Sequence, residues 1–430
     1  MTGVFARRQL YWQGEDDVTT ILPTPKRKDP VKRTRRPSMP PGNRSREAQG
    51  LAAMAASGRF ALQICDECSK VQYPPRQVCS ECLSDQLEWQ DINTGGKLLA
   101  ETTLQHSNDV YFRDRLPWRL GIVIADAGPS IVVHLAEDCV QGERVRMSLS
   151  IDRAGNAAIT AKPEKPVPRE EDDLQLREMA FDPKDRRVLI VDGKTELGLE
   201  LAKAFLKAGA RNIFVGHAQP WRASKHLDAI MKLDKVTVYP LDVTDSDSVE
   251  ELASMIGDKV EIMVNNSYHL RMGGVLDRFD INTSHDEMEI HYHGLMRLAA
   301  FFGPVMRSRG ADGHHGSTAW LNVLSAYAWI NNPSLGTYSA SQAAALSLSQ
   351  CLRTELAGGG VRVVNTFIGP IEDEWYQLAP PPKLIPATVA KRIVESLQRG
   401  LEDIPIGAVA EEIIQRLAEN PKEIERTIKL

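Results

Sequence analysis

The chain has 430 residues, 42% hydrophobic and 25% charged, and its 52 Lys and Arg against 57 Asp and Glu leave a formal net charge of −5. That composition excludes a fibrous or wholly disordered protein and gives no global pull toward nucleic acid or anionic lipid. No run approaches the ~18 apolar residues of a membrane span, and no apolar core follows a basic start at the N-terminus, so a cytoplasmic protein of two or three domains is expected.

Residues 1–43 read as a disordered basic tail. PKRKDPVKRTRRPSMPPGNRSR carries nine basic residues between Lys26 and Arg46 against one Asp. With no apolar periodicity it cannot bury enough surface to offset its chain entropy.

Residues 44–163 form the second zone. A short amphipathic helix is predicted from Arg44 to Gly58, and CDECSKVQYPPRQVCSEC follows it. Cys65-x2-Cys68 and Cys79-x2-Cys82, separated by ten residues, can each wrap a tight knuckle. Together they complete an S4 shell that suits Zn²⁺ and leaves no open position, so the site is expected to be structural. Two disulfides or an iron centre are the alternatives. Cys139 and Cys351 are expected to be ordinary buried thiols. KLLAETTLQ, LGIVIAD and SIVVHLAE then alternate apolar and polar residues between turn signals, which predicts a small antiparallel barrel or sandwich. Tyr111, Phe112 and Trp118 sit near Arg113, Arg115 and Arg119 in a compact cluster, too short to be a nucleic-acid groove. The Pro-rich, charged AKPEKPVPREEDD marks a linker, assigned to residues 164–184.

Residues 185–430 alternate continuous apolar strands (RRVLIVDG, NIFVGH, VEIMVNNS, TAWLNVLS, VRVVNTFIG) with helices. That order predicts an α/β doubly wound parallel sheet. The first strand-to-helix turn, Val191 to Gly198, holds Gly193 and Gly198 but has Glu196 where a phosphate would lie, with Lys194 as a compensating charge. Strand two ends at His217, with no Asp or Glu for a ribose diol.

The segment GRFALQICDECSKVQYPPRQVCSECLSDQLEWQDI, followed by GKLLAETTL, is similar to the rubredoxin-like zinc-ribbon plus OB-fold family associated with acyl-CoA, over about Arg44 to Pro163. Members accompany thiolase-family enzymes as subunits or fused domains. The resemblance implies a structural zinc, an acyl-CoA thioester ligand and a thiolase-like partner.

From Arg186 onward the chain resembles the short-chain dehydrogenase/reductase (SDR) family. The resemblance implies a Rossmann-like fold, NAD or NADP as cofactor, and a dinucleotide site at Gly193, Gly198, Asp242, Asn265 and Asn266. Ser325 and Tyr338 have the family's spacing for the two hydroxyls on a substrate carbonyl. The Lys expected four residues after Tyr338 is Gln342, and the helix Asn that holds a relay water is His291. A neutral amide cannot depress the tyrosine pKa. If the cation is worth roughly two units, its loss removes about 2.7 kcal/mol, a factor of about 100 in proton transfer. His291 or His293 is the candidate for rescue. The domain also looks like the degenerate partners in two-subunit hydroxyacyl-CoA dehydrogenases of β-oxidation, with the helices around 288–306 and 338–357 as the family's oligomer interface.

The leading expectation is therefore an acyl-CoA pathway protein whose SDR-like domain is largely non-catalytic and assembles with a thiolase-like enzyme, an active dehydrogenase subunit, or both. The alternative is an active NAD(P)-dependent oxidoreductase on a hydroxyacyl- or ketoacyl-CoA. A nucleic-acid-binding OB protein is the remote reading.

Overall fold

The computed structural model describes residues 39–42, 45–166, 173–179, 181–219, 224–277, 281–310 and 316–428. The basic tail lies almost wholly outside the described residues.

Helix α1 (Arg46–Ala56) starts at Ser45, whose hydroxyl accepts the Ala48 N–H, and buries Leu51 and Ala55 against the barrel described below. A small three-stranded sheet follows in the order β2 (Val71–Gln72), β1 (Ala61–Cys65), β3 (Leu87–Asp91). Five further strands close a barrel: β4 (Gly95–Leu104), β5 (Trp118–Ala125), β6 (Ser130–Leu135), β8 (Ala157–Pro163) and β7 (Arg144–Ile151), in that order around the ring. Alternation places Val145, Met147, Leu149 and Ile151 inside, with Ser148 and Ser150 outside. Tyr111 and Phe112 lie on the short helix α2 (Val110–Arg113), while Trp118 opens β5 with its ring buried.

Helix α3 (Leu174–Met179) falls within the segment assigned to the linker. Its Glu178 is buried and takes Arg115 at 2.8 Å and Arg153 at 3.6 Å. Arg153 stands on the β7–β8 turn, and the adjacent Gly155 packs near Arg362 of the C-terminal sheet. Buried charges of this kind cost desolvation and survive only when paired, which fixes the geometry of the junction.

The remaining chain is a seven-stranded parallel sheet. Its order is β11 (Val236–Pro240), β10 (Asn212–His217), β9 (Arg187–Ile190), β12 (Ile262–Asn265), β13 (Ala319–Ser325), β14 (Arg362–Ile368), β15 (Asp403–Ile406). Helices cover both faces. Those that matter for the site are α4 (Glu196–Lys207), α5 (Lys225–Ile230), α6 (Ser246–Ile256), α7 (Asn282–Met288), α8 (Gly294–Arg309), α9 (Gly336–Ala357) and α10 (Pro386–Arg399). Two apolar clusters, one on each side, bury strands that are apolar throughout, as a doubly wound sheet requires. The strand order reverses between β9 and β12, so their carboxyl ends open the crevice where such sheets bind ligands. No helix of the described residues is long and apolar enough to cross a membrane.

Candidate functional site

The four cysteines form two equivalent knuckles. Ser69 N–H donates to Cys65 O and Leu83 N–H to Cys79 O, and Ser69 and Leu83 both take left-handed backbone angles (φ 58° and 64°). The knuckles bring all four Sγ atoms within 4.8 Å of one another, with Cys65–Cys82 and Cys68–Cys79 at 3.5 Å. A tetrahedron with Zn–S of ~2.3 Å has sulfur edges of about 3.8 Å, so the donor set fits Zn²⁺ with no open position. Outside this cluster Cys139 is buried, but Cys351 is exposed on α9, contrary to the expectation of a buried thiol.

At the switch point, Asn266 ties the two strand ends together. It accepts the Asp192 N–H at 2.9 Å and donates to Asp192 O at 2.7 Å. Asn265 accepts from the Ser267 hydroxyl at 2.7 Å and reaches Asn322 at 3.4 Å. Both glycines of the first turn are required by close approach. A Cβ on Gly193 would lie 2.4 Å from Val215 Cγ1, and one on Gly198 would lie 2.3 Å from Asp192 O. Thr195 caps α4 and takes the Gly198 N–H, while Asp192 Oδ1 takes the Lys194 N–H. Two of the turn's backbone donors are thus engaged by its own side chains, and Asp192 pairs with the Lys194 ammonium at 3.6 Å, while Glu196 is exposed. Asp242 holds its own turn through the Thr244 N–H and hydroxyl. The cleft among Asp192, Lys194, Asp242 and Tyr268 measures ≈ 40 Å³, against the ~300–1,000 Å³ usual for ligand pockets. Gly193 and Gly198 are the residues of this turn that would lie beside the pyrophosphate of a dinucleotide. His217 is 3% exposed, and among the described residues neither ring nitrogen has a partner.

The expected catalytic residues do meet. Ser325 at the end of β13 and Tyr338 on α9 are both buried, and the Ser325 hydroxyl accepts the Tyr327 N–H at 3.2 Å. The Tyr376 hydroxyl, from the segment after β14, approaches Tyr338 OH at 3.4 Å. Gln342 is neutral, and its Oε1 accepts the Ser325 backbone N–H at 2.9 Å. Burial pushes the Tyr338 phenol up to about 12, against the smaller downward pull of the Tyr376 and Ser325 hydrogen bonds. This is the reverse of what proton transfer near neutrality needs.

His291 lies on a single π-helical turn, Glu289–His293, between α7 and α8. Its Nε2 accepts the His269 N–H at 3.0 Å, and its Nδ1 meets Ser341 Oγ at 2.8 Å. Because Ser341 Oγ itself donates to Tyr338 O at 2.8 Å, the imidazole is neutral with the proton on Nδ1. Burial, aided by His269, lowers its pKa to about 3. Both nitrogens are thus engaged, and the ring packs edge-on to Tyr338 at 5.4 Å. His293 is exposed on the same turn. Tyr376 and its neighbour Trp375, which packs on Tyr268 and His269, were not singled out from the sequence. They follow a Gly369-Pro370 turn whose path no local pattern reveals.

The description "short chain dehydrogenase" matches residues 186–378, and "ChsH2, rubredoxin-like zinc ribbon domain" matches residues 52–88. The chain is a zinc ribbon and a five-stranded barrel joined to a short-chain dehydrogenase domain. The dehydrogenase domain is similar to a short chain dehydrogenase from Burkholderia cenocepacia whose crystal structure holds NADP. That match is 29% identical with a TM-score of 0.52, covering 57% of this chain and 98% of that one. A short-chain dehydrogenase of Penicillium crustosum is 28% identical over 202 residues, 45% of this chain and 69% of the relative. A fatty acyl-CoA reductase of Acinetobacter baylyi is 25% identical over 191 residues, 43% of this chain and 62% of the relative.

Proposed function

We propose that this is an acyl-CoA pathway protein. In this reading a zinc-ribbon and OB-type module (residues 44–163) handles a CoA thioester, and a largely non-catalytic dehydrogenase domain (residues 185–430) serves assembly with a thiolase-family enzyme, an active dehydrogenase subunit, or both. One observation carries it: a neutral carboxamide, Gln342, stands where the reaction needs a cation, and its oxygen is held by the Ser325 backbone N–H. The Tyr376 hydroxyl beside the Tyr338 phenol supports the same reading, as does the likeness to a fatty acyl-CoA reductase.

The test is direct. Purified full-length protein is titrated with NADH and NADPH by fluorescence and assayed with 3-hydroxyacyl-CoA substrates. Turnover at background level, unchanged by Tyr338→Phe, is expected, together with recovery of a thiolase-family enzyme on purification from the native host. Turnover at an ordinary enzymatic rate that disappears in Tyr338→Phe overturns the reading.

An active NAD(P)-dependent oxidoreductase on a hydroxyacyl- or ketoacyl-CoA is the second reading. The NADP-bound relative favours it. In such an enzyme the dinucleotide would supply the hydride, Gly193 and Gly198 would admit its pyrophosphate, and Tyr338 and Ser325 would hold the substrate oxygen.

A further inference from the structure

The β7–β8 turn and α3 meet the parallel sheet at the amino-terminal end of β9, the end away from the crevice at the switch point. Two guanidinium groups are sealed there. Arg153, on the turn, is 2% exposed, and Arg186, just before β9, is 5% exposed. Burial, aided by the neighbouring charge of Arg153, pushes the Arg186 guanidinium down to about 10. At neutral pH it is still a cation, so two like charges share one dry site.

Their hydrogen bonding is incomplete. Among the described residues, Nε and Nη2 of Arg153 and Nη1 of Arg186 are buried without a hydrogen-bond partner. Arg186 Nε donates to a neutral oxygen, Asp182 O, at 3.0 Å. Arg153 Nη1 reaches Glu178 Oε1 at 3.6 Å, but that oxygen already takes Arg115 Nε at 2.8 Å. The other acids around the junction are engaged elsewhere. Asp152 holds the Ala154 and Asn156 N–H groups, Asp182 the Lys184 N–H and Glu261 the Arg187 N–H. Asp185 pairs with Arg177, and Glu402 with Arg362.

A buried cation with orphaned donors is costly, and such groups call for a partner. Water could take the three N–H groups but would leave the like charges facing each other. The partner that answers both demands is a small anion with several acceptor oxygens, and guanidinium groups match phosphate-like oxyanions with paired N–H···O bonds. We infer that Arg153 and Arg186 hold a small oxyanion of the size of inorganic phosphate, at the joint between the barrel and the dehydrogenase sheet. The two cations select this ligand by charge and donor geometry alone, whatever the barrel binds elsewhere.

The zinc-loaded full chain is titrated calorimetrically with sodium phosphate, at an ionic strength held constant with sodium chloride. About one phosphate per chain is expected to bind, and the melting temperature to rise with phosphate but not with the matching chloride. Arg153→Met and Arg186→Met are each expected to weaken phosphate binding at least about tenfold. Without phosphate, Arg186→Met is expected to melt no lower than the wild type, because it removes a buried charge that lacks a counterion. The titration is read on the wild-type chain, so it decides even where a variant fails to fold. No phosphate binding to the wild type, or binding that both variants retain within about twofold, overturns the proposal. So does an Arg186→Met protein that loses the same stability with and without phosphate.

Discussion

Gln342 Oε1 accepts the backbone N–H of Ser325 at 2.9 Å, so this side chain caps the end of β13; in the proposed reading it does so where an active dehydrogenase would carry a cation. The site around it is consistent with that use: Gln342 and Ser325 are each 2% exposed and Tyr338 3%. In this dry setting an uncompensated donor is costly.

Gln342→Lys is therefore expected to destabilise the protein without creating an enzyme. Losing the acceptor for a buried N–H costs about 1–3 kcal/mol, and a buried ammonium adds to it. A lowered melting temperature with no gain in NADPH oxidation on acyl-CoA substrates is the expected result. A large gain in rate would show that the cation alone was missing.

His291 makes a pH signature. Its folded pKa of about 3 lies below the unfolded value near 6.5. The unfolded chain therefore binds the extra proton between those values, and the stabilisation is complete above pH 6.5 and lost as pH falls toward 3. The size is on the order of 5 kcal/mol across the whole window, of which roughly half is reached at pH 4.5. Urea unfolding at pH 7.5 and 4.5 should show this loss, and His291→Asn should flatten it. A wild-type curve as flat as the variant's contradicts the neutral, doubly engaged imidazole.

Zinc should be present at about one ion per chain, with the four thiolates as its complete shell. Chelation is expected to unfold the ribbon and change the near-UV signal of Trp89 on β3, leaving the parallel sheet's far-UV signal largely in place. Cys82→Ser should reproduce the apo spectrum. Retention of the Trp89 signal in metal-free protein would remove the structural role.

Gly198→Ala and Gly303→Ala form an opposed pair. A Cβ at Gly198 meets a carbonyl oxygen at 2.3 Å, while one at Gly303 meets nothing within 4 Å. The first should cost about 1–3 kcal/mol by overpacking, and the second should gain up to about 1 kcal/mol from helix propensity in α8. Equal effects in chemical denaturation would refute the close packing of α4 on β9.

The sequence determined what local chemistry can specify. Two CxxC pairs close tight knuckles by themselves, so Cys65, Cys68, Cys79 and Cys82 were identifiable from spacing alone. The parallel sheet followed from unbroken apolar strands, since only burial on both faces tolerates such strands. The resemblance to the short-chain dehydrogenase family implied that Ser325 and Tyr338, thirteen positions apart, lie together and that Gln342 stands where the family has a lysine. What Gln342 does instead was not visible, because a hydrogen bond to a backbone N–H seventeen residues away depends on where β13 ends against α9. His291 carried a titratable side chain in the sequence, but only its packing against His269 and Ser341 decides that it is neutral and engaged at both nitrogens. Tyr376 arrives beside Tyr338, and the barrel beside α10, through contacts between segments distant in the chain. Such contacts follow from the closing of the fold, and no short pattern of residues encodes them.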